Sequence, residues 1–375
     1  MKPIEDPSPP EHVLVTGFPS FTATRMAQKL LAGDPTSTVE LLVRDRWVRS
    51  AHEMLEGLPV AQQKRARVLQ GDVLDLDLGL SGPEVRQLAD QLTTIHHLAG
   101  FYRRDADAKI AERVHVNGTR NVIEMARECK RLRRVCHWST ASVSGRRRGV
   151  VLEDELDLDQ RFHDAVESTK AQAEHMARAA QRSLPLTIFR PTTIVGDSKT
   201  GEIDRFDGPY FLMVLIVNGP TEVPLPLPGR GTAPMHLVPI DYVIDAAFAL
   251  SRDPRAAGLT LHLCDPNPFS VRQVFELVAE RAQKPKPRGF IPTGLARAIM
   301  KTPGLGELAR APLELLDSLD HVVLYNARHA AELLAGTGIT CPPLDSYVDN
   351  LVRYVREVHA ARRQKLEDDA WDPFA

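Results

Sequence analysis

The apolar positions of this chain fall into short runs separated by longer stretches with helical spacing. His12–Val15 (HVLV), Val39–Val43 (VELLV), Arg67–Leu69, Thr94–Ala99 (TIHHLA), Arg134–Trp138 (RVCHW) and Leu186–Phe189 (LTIF) read as six strands. Between them, Thr24–Leu31, Ala51–Leu58, Ala108–Leu132 and Ala165–Gln181 carry helical patterns. Strands alternating with helices of this length predict βαβ units on a parallel sheet. Both faces of such a sheet are covered, so its strands are apolar throughout instead of alternating with polar residues.

After Arg190-Pro191 the texture changes. The stretch 196–208 is polar and turn-rich, residues 220–239 hold six prolines, and helical pieces follow at Asp241–Leu250, Val271–Arg281, Gly294–Met300, Leu313–Leu316 and Leu344–Arg362. This predicts an α/β fold, a doubly wound parallel sheet with a smaller, mostly helical C-terminal substrate domain. The expected division is 12–195 for the sheet domain and 196–361 for the substrate-binding region, some of whose elements return to the first. Residues 362–375 read as a charged tail.

Length and charge sharpen this outline. At roughly 150 residues per domain, 375 residues leave room for two domains. Lys plus Arg number 47 against 49 Asp plus Glu, a net charge of −2, which argues against a dedicated nucleic-acid binder. Basic clusters at Lys130–Arg134 and Arg146–Arg148 are the local exceptions; they read as solvated faces or as contacts for phosphates or an acidic carrier. The longest apolar run, Tyr210–Val217, is far shorter than the ~20 residues of a membrane span and reads as core or pocket wall. Four cysteines without a C-x-x-C pair, and an N-terminus without an apolar segment, lead to a cytoplasmic expectation. His96 and His97, as strand neighbours, face opposite sides, and no H-x-x-x-H or H-E-x-x-H spacing occurs, so no metal is expected. Gly-x-Ser-x-Gly is absent, which removes the usual serine-hydrolase signature.

Chemistry gathers at the strand ends. The first strand runs into Thr16-Gly17-Phe18-Pro19-Ser20-Phe21-Thr22-Ala23 and opens a helix, the place where a dinucleotide fold seats pyrophosphate on helix N–H groups. The stretch resembles the T-G-x-x-G-x-x-G turn of the short-chain dehydrogenase/reductase superfamily, extended type, with only the first glycine kept. Ser20 and Ala23 stand at the second and third, and the Ser20 Cβ occupies space the phosphates would approach. Arg44 ends the second strand, where a basic residue suits the 2′-phosphate of NADP and an acidic one the ribose of NAD. NADP is therefore the favoured cofactor and NAD the alternative. Gly71-Asp72-Val73 resembles the adenine-contacting G-D-(V/I) element. Ala99 and Pro191, after the fourth and sixth strands, complete the cofactor-binding set implied by the resemblance: Gly17, Phe18, Pro19, Ser20, Phe21, Arg44, Asp72, Val73, Ala99, Lys170 and Pro191.

Three further segments carry the likeness. His115–Val122 (HVNGTRNV) is similar to the N-x-x-G-T-x-N helix of extended members, and Trp138–Gly145 (WSTASVSG) to their S-(S/T)-A-x-x-x-G strand end. Gly196–Tyr210, after Arg190-Pro191, looks like the branch containing fatty-acyl reductases, male-sterility proteins and thioester reductase domains, and Asp77–Ser81 also fits it. The likeness spans about 12 to 250. It implies a Rossmann-type domain and hydride transfer between nicotinamide and a carbonyl or thioester carbon, the acyl group being free or carried on coenzyme A or a carrier protein.

In that superfamily a tyrosine and a lysine four residues apart on one helix supply the proton, and a Ser or Thr aligns the substrate oxygen. Lys170 and Thr140 are present here, but the tyrosine position is Val166, which moves no proton. Three readings compete. His163, seven residues before Lys170, falls about 20° from it around the helix, hence on the same face, and about 10.5 Å away along the axis, which makes it a candidate surrogate acid. Tyr102 and Tyr210 are further candidates. Thr140 and Lys170 alone could stabilise the oxyanion of an already activated thioester. Or the chain is a catalytically impaired ligand-binding module.

Overall fold

The computed structural model describes residues 10–101, 107–206, 208–218, 226–292, 294–295 and 319–370. Thirteen strands occur among them: β1 His12–Thr16, β2 Thr38–Val43, β3 Ala66–Gln70, β4 Thr94–His97, β5 Arg134–Trp138, β6 Gly149–Val151, β7 Leu186–Pro191, β8 Thr193–Val195, β9 Leu227–Pro228, β10 Leu237–Pro239, β11 Thr260–Leu263, β12 Phe290–Ile291 and β13 Val323–Tyr325. Seven form one sheet in the order β11-β7-β5-β4-β1-β2-β3, every pairing parallel. The six expected strands are all in it. The order reverses between β1 and β4, the topological switch point where open α/β sheets bind ligands.

Strand period explains the apolar runs. Val13 and Val15 face a core filled by Met26 and Leu30 of the Phe21–Gly33 helix and Ile244 and Leu250 of the Ile240–Arg252 helix. Leu14, between them, faces the opposite layer, with Val122 and Met125 of the Gly118–Glu128 helix and Ala177 of the Ala165–Ala180 helix. Every residue of such a strand is interior, so alternation vanishes.

The C-terminal part is more helical, and it gives one strand back: β11 pairs with β7, Leu261 opposite Phe189. Three two-stranded ribbons, β8–β10, β9–β12 and β6–β13, tie the rest to the sheet. The Tyr210–Val217 run lies in the Pro209–Asn218 helix, where Tyr210 and Met213 join Phe275, Leu351 and Val355 in a second core.

Two expectations change. The stretch read as one helix, Ala108–Leu132, is an α-turn Ala108–Glu112, a π-helical turn Arg113–Asn117 and a helix Gly118–Glu128 that stops at Cys129. The interruption lets Gly118 approach the loop after β3, where a Cβ would sit 3.1 Å from the Val73 side chain. The last helix, Val348–Ala370, runs on into the segment read as a tail. The expected Leu313–Leu316 piece and most of Gly294–Met300 lie outside the described residues.

A fully buried ion pair locks the layers. Arg190, at the end of β7, donates to Glu174 through Nε (3.0 and 3.1 Å) and NH2 (2.6 Å). Ser139 Oγ donates to the same carboxylate at 2.6 Å and Arg178 Nε at 3.0 Å. Burial alone would push this carboxyl up; the Arg190 and Arg178 guanidiniums and the Ser139 hydroxyl outweigh it and hold it below the ordinary range. A depressed folded value contributes stability at neutral pH that is lost as pH falls through it. Glu174→Ala is therefore expected to cost about 3–5 kcal/mol at pH 7, read from denaturant midpoints. The deficit of Glu174→Gln should shrink as pH drops below the ordinary carboxylate range; a pH-independent deficit contradicts the assignment.

Candidate active site

The carboxyl ends of the strands carry the site. Gly17 follows β1 with φ +98°, and a Cβ there would lie 2.7 Å from Leu98 C and 2.8 Å from Ala99 N. No other residue type lets the β1 turn lie against the end of β4. Ala99 N donates to Thr16 Oγ1 at 3.2 Å, closing the same contact. Ser20 is the N-cap of the Phe21–Gly33 helix, its Oγ accepting from Ala23 N at 3.3 Å. The serine that looked like an obstruction thus caps the helix. Phe18 is buried, Pro19 exposed, and Phe21 carries the Arg25 guanidinium 5.0 Å above its ring. Among the described residues the Phe21 and Thr22 amides have no partner within the protein, which leaves two helix-terminal donors for an anion.

Arg44, just past β2, is exposed, and its Nε stands 4.0 Å from Asp72 Oδ2 after β3. Next to it, buried Val73 is held by Asn121, whose Nδ2 donates to Val73 O at 2.8 Å and Asp75 O at 3.1 Å. The helix motif HVNGTRN therefore shapes the loop after β3 through its last asparagine. Pro191 closes β7, buried and opposite Leu263.

Lys170 is buried on the Ala165–Ala180 helix, its Nζ donating to Trp138 O at 3.2 Å, at the end of β5. A Cβ on Gly100 would come within 3.1 Å of Nζ and 3.5 Å of His115 Nε2. His115 and Gly100 were not singled out from the sequence, although His115 opens a motif that was. Thr169 Oγ1 donates to Ala165 O at 2.7 Å and lies 2.8 Å from His115 Nδ1. His115 Nε2 lies 3.3 Å from Phe101 N and 3.2 Å from Phe101 O. Burial, reinforced by Lys170, pushes His115 down to about 3, and likewise His137. Burial, then His137 and Lys170, put His97 well below its ordinary value. Three neutral imidazoles therefore feel the Lys170 charge, and among the described residues His137 Nε2 is buried without a hydrogen-bond partner.

Thr140 caps the short turn Ala141–Ser144, Oγ1 accepting from Ser142 N at 3.2 Å, which leaves its own O–H for donation. Val166 is buried one turn before Lys170. His163 lies ahead of the helix, whose N-cap is Asp164, so the shared helical face that nominated it does not exist. It is held instead by Glu167, with Nδ1 2.9 Å and its backbone N 2.8 Å from Oε2, and its ring meets His321 edge-on at 5.4 Å. Tyr210 is structural: its OH accepts from Gly196 N at 2.7 Å and its ring stacks on Phe206. Tyr102 lies outside the described residues. His96 and His97 do point apart, to Trp138 and to Thr16 with Thr119. No group of side chains suited to a metal occurs among the described residues, and no described helix is long and apolar enough to cross a membrane.

These residues fit a dinucleotide: a glycine that admits close backbone approach, open helix amides, a basic side chain at β2 and a buried ammonium at β5. Comparison with known proteins agrees. A family profile described as male sterility protein matches residues 15–247. The fatty acyl-CoA reductase wat of Drosophila melanogaster is 27% identical over 281 residues, 64% of this chain and 54% of the fly protein. A linear gramicidin synthase of Brevibacillus parabrevis is 26% identical over 376 residues, 92% of this chain and 7% of that protein. The chain thus spans about half of the first relative and a small part of the second. Among solved structures, the terminal R domain from the myxalamid PKS-NRPS pathway superposes with TM-score 0.79 at 23% identity, covering 93% of this chain and 91% of that one. A thiolation-reductase di-domain from an archaeal non-ribosomal peptide synthetase gives 0.73 at 17%, covering 93% and 76%. These superpositions show the fold.

If the Gly17 turn seats the dinucleotide, Gly17→Ala should weaken NADPH binding by roughly tenfold or more, about 1.4 kcal/mol, in a fluorescence titration. Exposed Pro19→Ala should change it by no more than about twofold; equal effects from both would remove Gly17 from the site.

Proposed function

The chain belongs to the male sterility protein family, and on that premise we propose that it reduces an acyl thioester or related fatty carbonyl with NADPH. The observation that carries this reading is the buried Lys170 ammonium on Trp138 O, with the Thr140 hydroxyl two residues further along the same strand end. When bound, the reduced nicotinamide supplies the hydride. Gly17, the open amides of Phe21 and Thr22, Asp72, Val73 and Ala99 would hold the dinucleotide, with Arg44 reading the 2′-phosphate. Lys170 and Thr140 donate to the acyl oxygen and stabilise the negative charge that develops there. Coenzyme A or a carrier protein would present the thioester; the fly relative bears the first in its name.

Val166 supports a second reading, a dinucleotide-binding module with impaired catalysis, because a buried valine stands where the superfamily keeps its proton donor. Turnover separates the two. NADPH oxidation should accompany thiol release from an acyl-coenzyme A and fall roughly 100-fold or more in Lys170→Ala. Tight NADPH binding with no turnover, and activity appearing only in Val166→Tyr, would establish the module instead. Arg44→Ala should weaken NADPH about tenfold and leave NADH unchanged; equal losses would favour NAD. His163→Ala should leave kcat within about twofold, since His163 is committed to Glu167 off the Lys170 helix; a drop of about tenfold would restore it as the acid.

A further inference from the structure

The ribbon of β6 and β13 has an outer face for which the candidate site has no use. Pairing sets Val150 opposite Leu324 and Val151 opposite Tyr325. Successive residues of a strand face opposite ways, and burial follows that rule. Val151 and Val323 are buried, whereas Val150 and Leu324, with the flanking Leu152 and Val322, are 56%, 44%, 44% and 43% exposed. Other exposed large apolar residues, such as Val60, Leu76 and Ile110, stand singly and need no explanation. The inner face of the same ribbon packs on the site. Tyr325 OH and Ser144 Oγ are 3.1 Å apart, and Ser144 ends the turn that Thr140 caps.

Positive charge gathers at one end of the outer face. Gly149 N donates to Val322 O at 3.0 Å, which puts Arg148 beside Val322. Arg146 N donates to Arg161 O at 2.7 Å, so a third exposed arginine joins them. Arg147 pairs with Glu155 at 2.7 Å; Arg146, Arg148 and Arg161 have no ion pair among the described residues. The acids that flank the ribbon in sequence are turned to other groups. Glu153 is buried on backbone amides, Asp154 Oδ1 lies 3.9 Å from His329 Nδ1, and Asp320 turns its carboxylate to Gly229.

We propose that this outer face is a peripheral contact for an anionic lipid surface. The four aliphatic side chains enter the headgroup region, and the three arginines bind lipid phosphates. Aliphatic groups beside unpaired guanidiniums match such a surface in both respects. A protein partner fits the face less well, because a stable interface buries roughly 800 Å² on each side, far more than four half-exposed side chains supply. Membrane affinity instead accumulates from a few inserted side chains and about fivefold for each arginine. No described helix is long and apolar enough to cross a membrane, so the contact is peripheral. It would set the Thr140 turn beside the phase in which a long acyl chain dissolves.

The test is sedimentation of the full chain with vesicles of phosphatidylcholine alone, or of phosphatidylcholine with about a third phosphatidylglycerol. The chain should pellet with the anionic vesicles only, and about 0.5 M salt should release it. Val150→Asp and Leu324→Asp should each weaken binding roughly tenfold or more. Arg148→Ala should weaken it about fivefold, with the wild-type thermal midpoint kept in every variant. Binding to neither vesicle, or equally to both, would overturn the proposal, as would anionic binding that survives both aspartate substitutions. If the aspartate variants do not fold, the arginines decide: binding unchanged in the Arg146→Ala, Arg148→Ala double variant contradicts the assignment. Self-association, or capture of an acidic carrier protein, through this face without vesicle binding would give it to a protein and sink the lipid reading. None of these readouts needs turnover, so failure here leaves the thioester reading standing, and failure of that reading leaves this one.

Discussion

The buried Glu174–Arg190 pair is the constraint on which the site depends. Glu174 sits one helical turn after Lys170, Arg190 at the end of β7, and Ser139, which donates to the same carboxylate, immediately before Thr140. Arg190 also donates to Glu155 O at 2.8 Å, and Glu153 accepts from the backbone of His262, His329 and Ala330. One ionic knot therefore fixes the Lys170 helix, the Thr140 strand end and the returning strand β11 relative to one another. Breaking such a pair leaves a charge without its partner in a low-dielectric interior. Replacing both ends with apolar residues would spare that penalty but would release the helix from its register on β5.

The sheet was legible because its chemistry is local. The central strands are runs of interior residues, the edge strand β3 keeps only Leu69 fully buried, and each expected strand ends within about two residues of its expected end. The features that escaped depend on distant partners. β11 (TLHL) carries His262, a polar residue in a four-residue run, and its burial makes sense only once Asn326 O and Arg190 are seen beside it. The π-helical turn at Arg113–Asn117 precedes Gly118, which packs against Val73, a contact 45 residues apart in sequence.

The motifs that nominate the candidate site are local in sequence, and two of its residues take other places in space. Ser20, in sequence a lost glycine, is in space a helix cap that leaves the neighbouring amides open. His163, placed by helical geometry on the Lys170 face, belongs to a different environment because Asp164 starts the helix after it. The His163 reading extended the Lys170 helix ahead of its first residue, Ala165. His115 was passed over although it opens the HVNGTRNV motif, because its contacts appear only with Thr169 and Phe101 around it.

The valine at position 166 gives the account its specific content. Read as damage, it argues for a silent fold; read beside Lys170 and Thr140, it leaves stabilisation of the acyl oxyanion to those two residues. The most direct measurement of hydride chemistry is a single turnover with NADPH deuterated at the transferable position and an acyl-coenzyme A, analysed by mass spectrometry. The account predicts deuterium on the former acyl carbon of the reduced product, formed roughly 100-fold more slowly in the Lys170→Ala protein. Bound NADPH that retains its deuterium while the thioester stays intact would contradict it.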